Sequence, residues 1–258
     1  MQETDLALIS DAVRIAGRIA TSYAVDSTQR WDKPGGAGPV TEADLAVNAY
    51  LENVLRTARP EYGWLSEETE DNDTRLGQET LFVVDPIDGT RSFVEGSRTW
   101  AHSVAVVHQG RVTAGAVCLP RRDMLYTAAE GGGAFLNGNA ITTSTRHDPG
   151  EADILATKPA VEPGHWHSGV PSFRRAHRPS LAYRLSLVGE GRFDAMLTFR
   201  PAWEWDIAAG ALIVTEAGGT CTDRRGNPLR FNNPGARLDG VVAAGQAMHA
   251  GLMRALQR

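Results

Sequence analysis

Leu81-Phe82-Val83-Val84-Asp85-Pro86-Ile87-Asp88-Gly89-Thr90-Arg91-Ser92-Phe93 is the run that decides how the rest of the chain is read. Its first four residues are apolar, and three of them are β-branched or aromatic, which predicts a buried strand. Asp85 and Asp88 follow, separated by Pro86 and Ile87. Proline has no N–H to give to a ladder, so the strand is expected to end at Asp85 and the chain to turn. Gly89 permits close backbone approach, and a helix is expected to start near Gly89 and Thr90. A carboxylate pair at a strand end can hold a hard divalent cation through oxygen. The N–H groups of Gly89 and Thr90 beside it can hold an anion such as phosphate. A helix cap followed by a turn also produces a bare Asp-x-x-Asp, so the remaining sequence has to choose between the two.

Composition narrows the field. The chain has 258 residues, 42% hydrophobic and 22% charged, enough for one large domain or two tightly joined lobes around a sizeable core. A net charge of -5 speaks against a protein that coats a nucleic-acid polymer, though not against an enzyme acting on a nucleotide. The two cysteines, Cys118 and Cys221, have no C-x-x-C spacing. Neither a disulfide framework nor a structural zinc site is expected, and a reducing cytoplasm is the plain reading. The first eleven residues lack the basic-then-apolar pattern of a signal peptide. No apolar run approaches the ~20 residues needed to span a membrane.

Around the central run, Asp5 to Tyr23 reads as an amphipathic helix. Val25 to Gly38 is polar and glycine-rich, reads as a mobile loop and contains Lys33. Thr41 and Asp44 have the spacing of a capping box, opening a helix to about Arg59. Trp64-Leu65-Ser66-Glu67-Glu68 reads as a short strand ending in two acids, followed by a surface loop over 70–79. Strands are expected over 102–108, 112–119, 124–129 and 133–136, with Asn137-Gly138 as a hairpin turn. His102 and His108 read as ordinary strand residues. His165-Trp166-His167 lacks a partner at helical spacing and reads as loop. A helix is expected over 180–190, a strand over 193–199, then a helix with Asp206 as N-cap and Gly218 as C′. A turn at 223–227, a strand at 240–244 and a helix at 247–256 close the chain.

Asp85-Pro86-Ile87-Asp88-Gly89-Thr90 resembles the signature of the inositol monophosphatase family of metal-dependent phosphatases. The other landmarks fall in the family's order: Lys33, Thr41 to Asp44, Glu67-Glu68 with Ser66 in place of the usual glycine, and Trp205-Asp206 followed by Glu216-Ala217-Gly218-Gly219. The resemblance covers almost the whole chain. It implies an α/β fold, a layered α-β-α-β-α sandwich, with an N-terminal lobe at 1–140 and a C-terminal lobe at 141–258. It also implies a homodimer, with Lys33 and Asp44 flanking the metal site.

So many carboxylates in one cleft would repel each other and take up protons unless cations neutralise them. Oxygen-only donors select Mg²⁺, with Mn²⁺ as the alternative, over zinc. The resemblance implies two or three ions, with Asp85 bridging, Glu67 and the Ile87 carbonyl completing one set of donors, and Asp88 and Asp206 another. Thr90 with Glu67 would then orient and deprotonate a water, and Gly89 and Thr90 would receive phosphate oxygens. The implied partner is a small-molecule phosphate ester, with no nucleic-acid polymer and no membrane. No P-loop or dinucleotide-binding glycine string is present, and no Cys or Ser nucleophile motif.

Substrate identity rests on the C-terminal part. Arg200 falls near a position where polyol-specific relatives carry an acid, and a guanidinium prefers a second phosphate or carboxylate. The Ser180 helix start resembles that of bacterial 3'-phosphoadenosine 5'-phosphate phosphatases. Glu204 is the alternative contact for a polyol such as inositol monophosphate. Histidinol phosphate, fructose 1,6-bisphosphate and a catalytically silent binding protein of the same fold stay open.

Overall fold

Residues 4–23, 28–32 and 38–257 are described by the structure, a computed structural model. In chain order come α1 (Asp5–Ser22), β1 (Arg30–Asp32), β2 (Pro39–Thr41), α2 (Glu42–Ala58), β3 (Gly63–Ser66), β4 (Thr80–Asp88), α3 (Thr90–Val94), β5 (Ala101–His108), β6 (Arg111–Leu119), β7 (Met124–Ala129), β8 (Gly133–Leu136) and β9 (Asn139–Ala140). The chain then adds β10 (Asp153–Ala156), β11 (Arg174–Ala176), α4 (Leu181–Gly189), β12 (Ala195–Thr198), β13 (Ala202–Trp203), α5 (Glu204–Glu216), β14 (Gly219–Thr222), β15 (Arg237–Leu238), β16 (Val241–Gly245) and α6 (Gln246–Ala255).

The unbroken apolar run in β4 is explained by burial on both faces. Leu81 and Val83 pack into one core, while Phe82, Val84 and Ile87 pack into another. β4 is second in a seven-stranded sheet of order β3-β4-β5-β6-β7-β8-β9, parallel to β3 and antiparallel to β5. α1 and α2 cover one face; α4 and α5 cover the other. Beyond them lies a five-stranded sheet, β11-β10-β12-β16-β14, backed by α6. The succession is therefore helix, sheet, helix, sheet, helix, as the resemblance implied. α5 is apolar almost all round because it is wedged between the sheets. Small residues permit this: a Cβ on Gly115 of β6 would lie 3.0 Å from the Ala209 Cα, and one on Gly210 would lie 2.6 Å from the Leu185 Cβ.

Three expectations need correction. β4 does not stop at Pro86. It continues to Asp88 through a bulge, in which Pro86 and Ile87 together oppose His102 between the pairs Asp85–Ser103 and Asp88–Ala101. A bulge leaves a residue out of the ladder, so the missing proline N–H costs nothing there. Asp206 is not an N-cap; α5 starts two residues earlier and Trp203 caps it without a side-chain bond. Part of the presumed loop at 25–38 is the hairpin partner β1, paired antiparallel with β2. Strand β11 and the two-residue ladder β13–β15 also went unforeseen. Lys33 lies outside the described residues.

Candidate active site

The bulge is what brings Asp85 and Asp88 to one place. It is held from behind by His102, whose Nδ1–H donates to the Pro86 carbonyl. Burial lowers the His102 pKa to about 4, so the ring is neutral. Its neighbour Ser103 pairs with Asp85 across the ladder and donates to the Trp205 carbonyl at 3.1 Å, which ties the first turn of α5 to β5. Asp206, the next residue, is thereby set against the bulge. One oxygen from each of Asp85, Asp88 and Asp206 lies within 4.8 Å of the others.

Each carboxyl reports the crowding. Burial raises Asp85 well above the usual carboxylate range, and the charges of Glu67, Asp88 and Asp206 raise it further. Asp206 is raised in the same way by burial and by Asp88, with Arg200 partly offsetting this. Asp88 is raised to about 6, chiefly by burial, against the two bonds its Oδ2 accepts: Ser180 Oγ at 2.7 Å and Ala182 N at 2.7 Å. Asp85 Oδ1 is buried with no hydrogen-bond partner among the described residues. An orphaned anionic oxygen among mutually repelling, oxygen-only donors fits a hard divalent cation.

Asp44 serves two structures at once. Its Oδ2 accepts the Thr41 N–H at 2.8 Å and the Thr41 hydroxyl at 2.5 Å, completing the capping box of α2. Its Oδ1 accepts the Thr90 hydroxyl at 3.2 Å, which also lies 3.2 Å from the Ile87 carbonyl. Burial raises the Asp44 pKa to about 6, partly countered by the Thr41 bonds. Gly89, at φ 99°, forms the corner from which α3 starts. That left-handed conformation favours glycine.

A cleft lined by Glu67, Asp85, Asp88, Gly89, Thr90 and Asp206 opens onto these groups, with Leu181, Arg200, Trp203 and Arg237 on its other side. Glu67 reaches it because Ser66 is anchored to Asn48 of α2 at 2.6 Å and Asn48 holds Thr69 at 3.0 Å. It lines the cleft but stands outside the tight trio of carboxylates.

Two expected substrate contacts lie elsewhere. Ser180 is buried beneath Asp88, capping α4 and donating to that carboxylate, so it supports a site residue and faces no ligand. Glu204 is fully buried, and its carboxylate accepts the N–H groups of Asn232 and Asn233 at 2.7 and 2.8 Å. It is saturated and points away from the cleft. Arg237, Trp203, Ser103 and His102 were not anticipated as site residues. Only the placement of His102 and Ser103 opposite the central motif on the next strand could have signalled two of them.

The sequence matches the family model described as "Inositol monophosphatase family" over residues 1–258. The chain belongs to that family. An inositol-1-monophosphatase of Rhizobium meliloti (strain 1021) is 38% identical over 202 residues, covering 74% of each protein. A histidinol-phosphatase of Chlorobaculum parvum is 29% identical over 259 residues, covering 98% of this chain and 96% of that protein. The crystal structure of the extragenic suppressor protein suhB from Bartonella henselae superposes with a TM-score of 0.81 at 29% identity, covering 96% of each chain. This member of the inositol monophosphatase family is a phosphoric monoester hydrolase, and its acidic trio is placed where a metal could bind. Among the described residues no helix is long and apolar enough to cross a membrane.

Proposed function

We propose that the protein is a Mg²⁺-dependent phosphomonoesterase of small metabolites, acting on a substrate with a second anionic group. One observation carries the reading: a tight trio of carboxylates lines the same cleft as Thr90, whose hydroxyl is bonded to the buried Asp44 behind it. Asp85, Asp88 and Asp206, with Glu67 and the Ile87 carbonyl, would hold the cation, which when bound neutralises phosphoryl charge and acidifies water. Thr90 Oγ orients the attacking water. As the water oxygen bonds to phosphorus, its proton passes to Thr90 Oγ, and the Thr90 proton passes to Asp44 Oδ1. An acid raised to about 6 is suited to accept it near neutral pH. The phosphorus–ester bond breaks, and the leaving oxygen takes a proton from solvent. The Gly89–Thr90 backbone receives phosphoryl oxygens. Arg200 faces the cleft and supports a doubly charged substrate such as 3'-phosphoadenosine 5'-phosphate over inositol 1-phosphate.

The test is phosphate release by metal-stripped protein, with Mg²⁺ or Mn²⁺ restored. The panel is inositol 1-phosphate, 3'-phosphoadenosine 5'-phosphate, histidinol phosphate and fructose 1,6-bisphosphate. Mg²⁺-dependent release, fastest from a bisphosphate, is expected. No release from any ester would overturn the reading. The homodimer and the lobes at 1–140 and 141–258 belong to the same proposal; light scattering and limited proteolysis check them.

A further inference from the structure

Arg237 has an unusual setting for an exposed arginine. Among the described residues the Arg237 guanidinium has neither a carboxylate partner nor a hydrogen bond. It lies face-on to Trp203, 3.9 Å from the ring centroid. Trp203 in turn stacks on Trp205, centroids 4.7 Å apart and planes 12° from parallel. The backbone reinforces the stack, since Trp203 and Arg237 are directly opposite in the β13–β15 ladder.

The loop leading into Arg237 is clamped from two sides. Glu204 holds Asn232 and Asn233 from α5, and its own N–H donates to Ala236 O at 3.0 Å. Buried Arg75 donates to Asn232 Oδ1 at 2.7 Å and Asn233 O at 3.0 Å, while its other edge grips Asp71 with two bonds. A free arginine has many rotamers, and binding must remove much of that freedom. Here the stack and the clamped loop have already removed part of it, so an anion meets a pre-ordered cation. Arg237 lines the same cleft as the carboxylate trio and Thr90, as does Arg200. Two cations in one cleft suit a dianion.

We propose that Arg237, held against Trp203, is a fixed subsite for a second phosphoryl group, and that it sets the enzyme's preference for bisphosphorylated substrates. This rests on the phosphatase reading above and adds the residue that selects. The N–H edge of the guanidinium receives two phosphoryl oxygens while its face stays on the indole.

Adenosine 3'-monophosphate and adenosine 3',5'-bisphosphate differ only in that second group, so they make the matched pair. Wild type is expected to prefer the bisphosphate. R237A lowers kcat/KM for the bisphosphate by about 10- to 100-fold more than for the monophosphate, mostly through KM. R237K recovers only part of the difference, because an ammonium has no planar fork. Equal losses on both nucleotides, or no wild-type preference, would overturn the subsite. If wild type released no phosphate from any ester, the phosphatase reading would fall instead. Calorimetric titration of the same two nucleotides then decides the subsite without turnover: R237A must weaken the bisphosphate selectively, or the proposal is wrong.

Discussion

Asp85→Asn should make the metal-free protein more stable while abolishing catalysis. Two unit charges 4.8 Å apart, the upper limit of the oxygen separations in the trio, repel by about 3 kcal/mol at an effective dielectric of about 20. Full ionisation of all three groups would put two such pairs on Asp85. Burial and mutual repulsion raise the pKa of both Asp85 and Asp206, which disfavours ionisation of all three groups together, so relief of about one pair is the better figure. An amide also offers Asp206 a neutral donor.

The pH dependence has a definite sign. Folded carboxyls raised above their unfolded values hold more protons than the unfolded chain, so metal-free stability falls as pH rises through the window above the ordinary aspartate value of 3.8. Each extra proton bound contributes a slope of about 1.4 kcal/mol per pH unit. The gain from Asp85→Asn should therefore be about 3 kcal/mol at pH 8 and shrink towards pH 4. For a chain of this size that is a rise in Tm of roughly 6–12 °C. With Mg²⁺ at one hundred times its Kd, wild type gains about 2.7 kcal/mol and the variant little, which brings the two together or reverses them. Melts by circular dichroism in EDTA and in Mg²⁺, at pH 5 and pH 8, read all four cases. A variant melting at or below wild type in EDTA at pH 8 would refute the electrostatic reasoning, as would equal Mg²⁺ stabilisation of both proteins.

Thr90→Ala removes the hydroxyl between the water and Asp44 and should lower kcat by roughly 10²–10⁴-fold, while Thr90→Ser keeps most of the rate. A loss confined to KM would make Thr90 a binding residue. Ser180→Ala takes away the α4 cap and one of the two bonds to Asp88; it should cost about 1 kcal/mol of stability and weaken Mg²⁺ about 10- to 100-fold by calorimetry. Unchanged Mg²⁺ affinity would show that Asp88 needs no such support. Gly115→Ala puts a methyl against the Ala209 backbone and should cost about 1–3 kcal/mol in urea unfolding, with Mg²⁺ affinity falling as α5 is displaced.

The parts of the site that are legible in sequence are those whose signal is contiguous. Residues 81–90 carry a strand, its acids and its corner together; Thr41 and Asp44 carry a local cap. Asp206 was visible as a site residue, though not its place inside the helix, because a cap and the third residue of a first turn look alike when Glu204 and Trp205 give no punctuation. Pro86 misled because a bulge tolerates proline as well as a strand end does. Ser180 and Glu204 misled for another reason. Their partners are Asp88, 92 residues away, and Asn232 and Asn233, 28 and 29 residues away, and no local pattern announces such bonds. Arg237 sits in a two-residue strand that forms only because β13 is there to meet it.

The wedged position of α5 makes the acidic trio a checkpoint on assembly. Asp88 and Asp206 are 118 residues apart in sequence (206 − 88). They meet only when a helix buried between two sheets has both neighbours in place. A nascent chain with the seven-stranded sheet alone would own two of the three carboxylates and could not hold an ion as the finished protein does. Catalytic competence would then arrive in one step, at the close of folding, and chelation would be felt through the whole molecule.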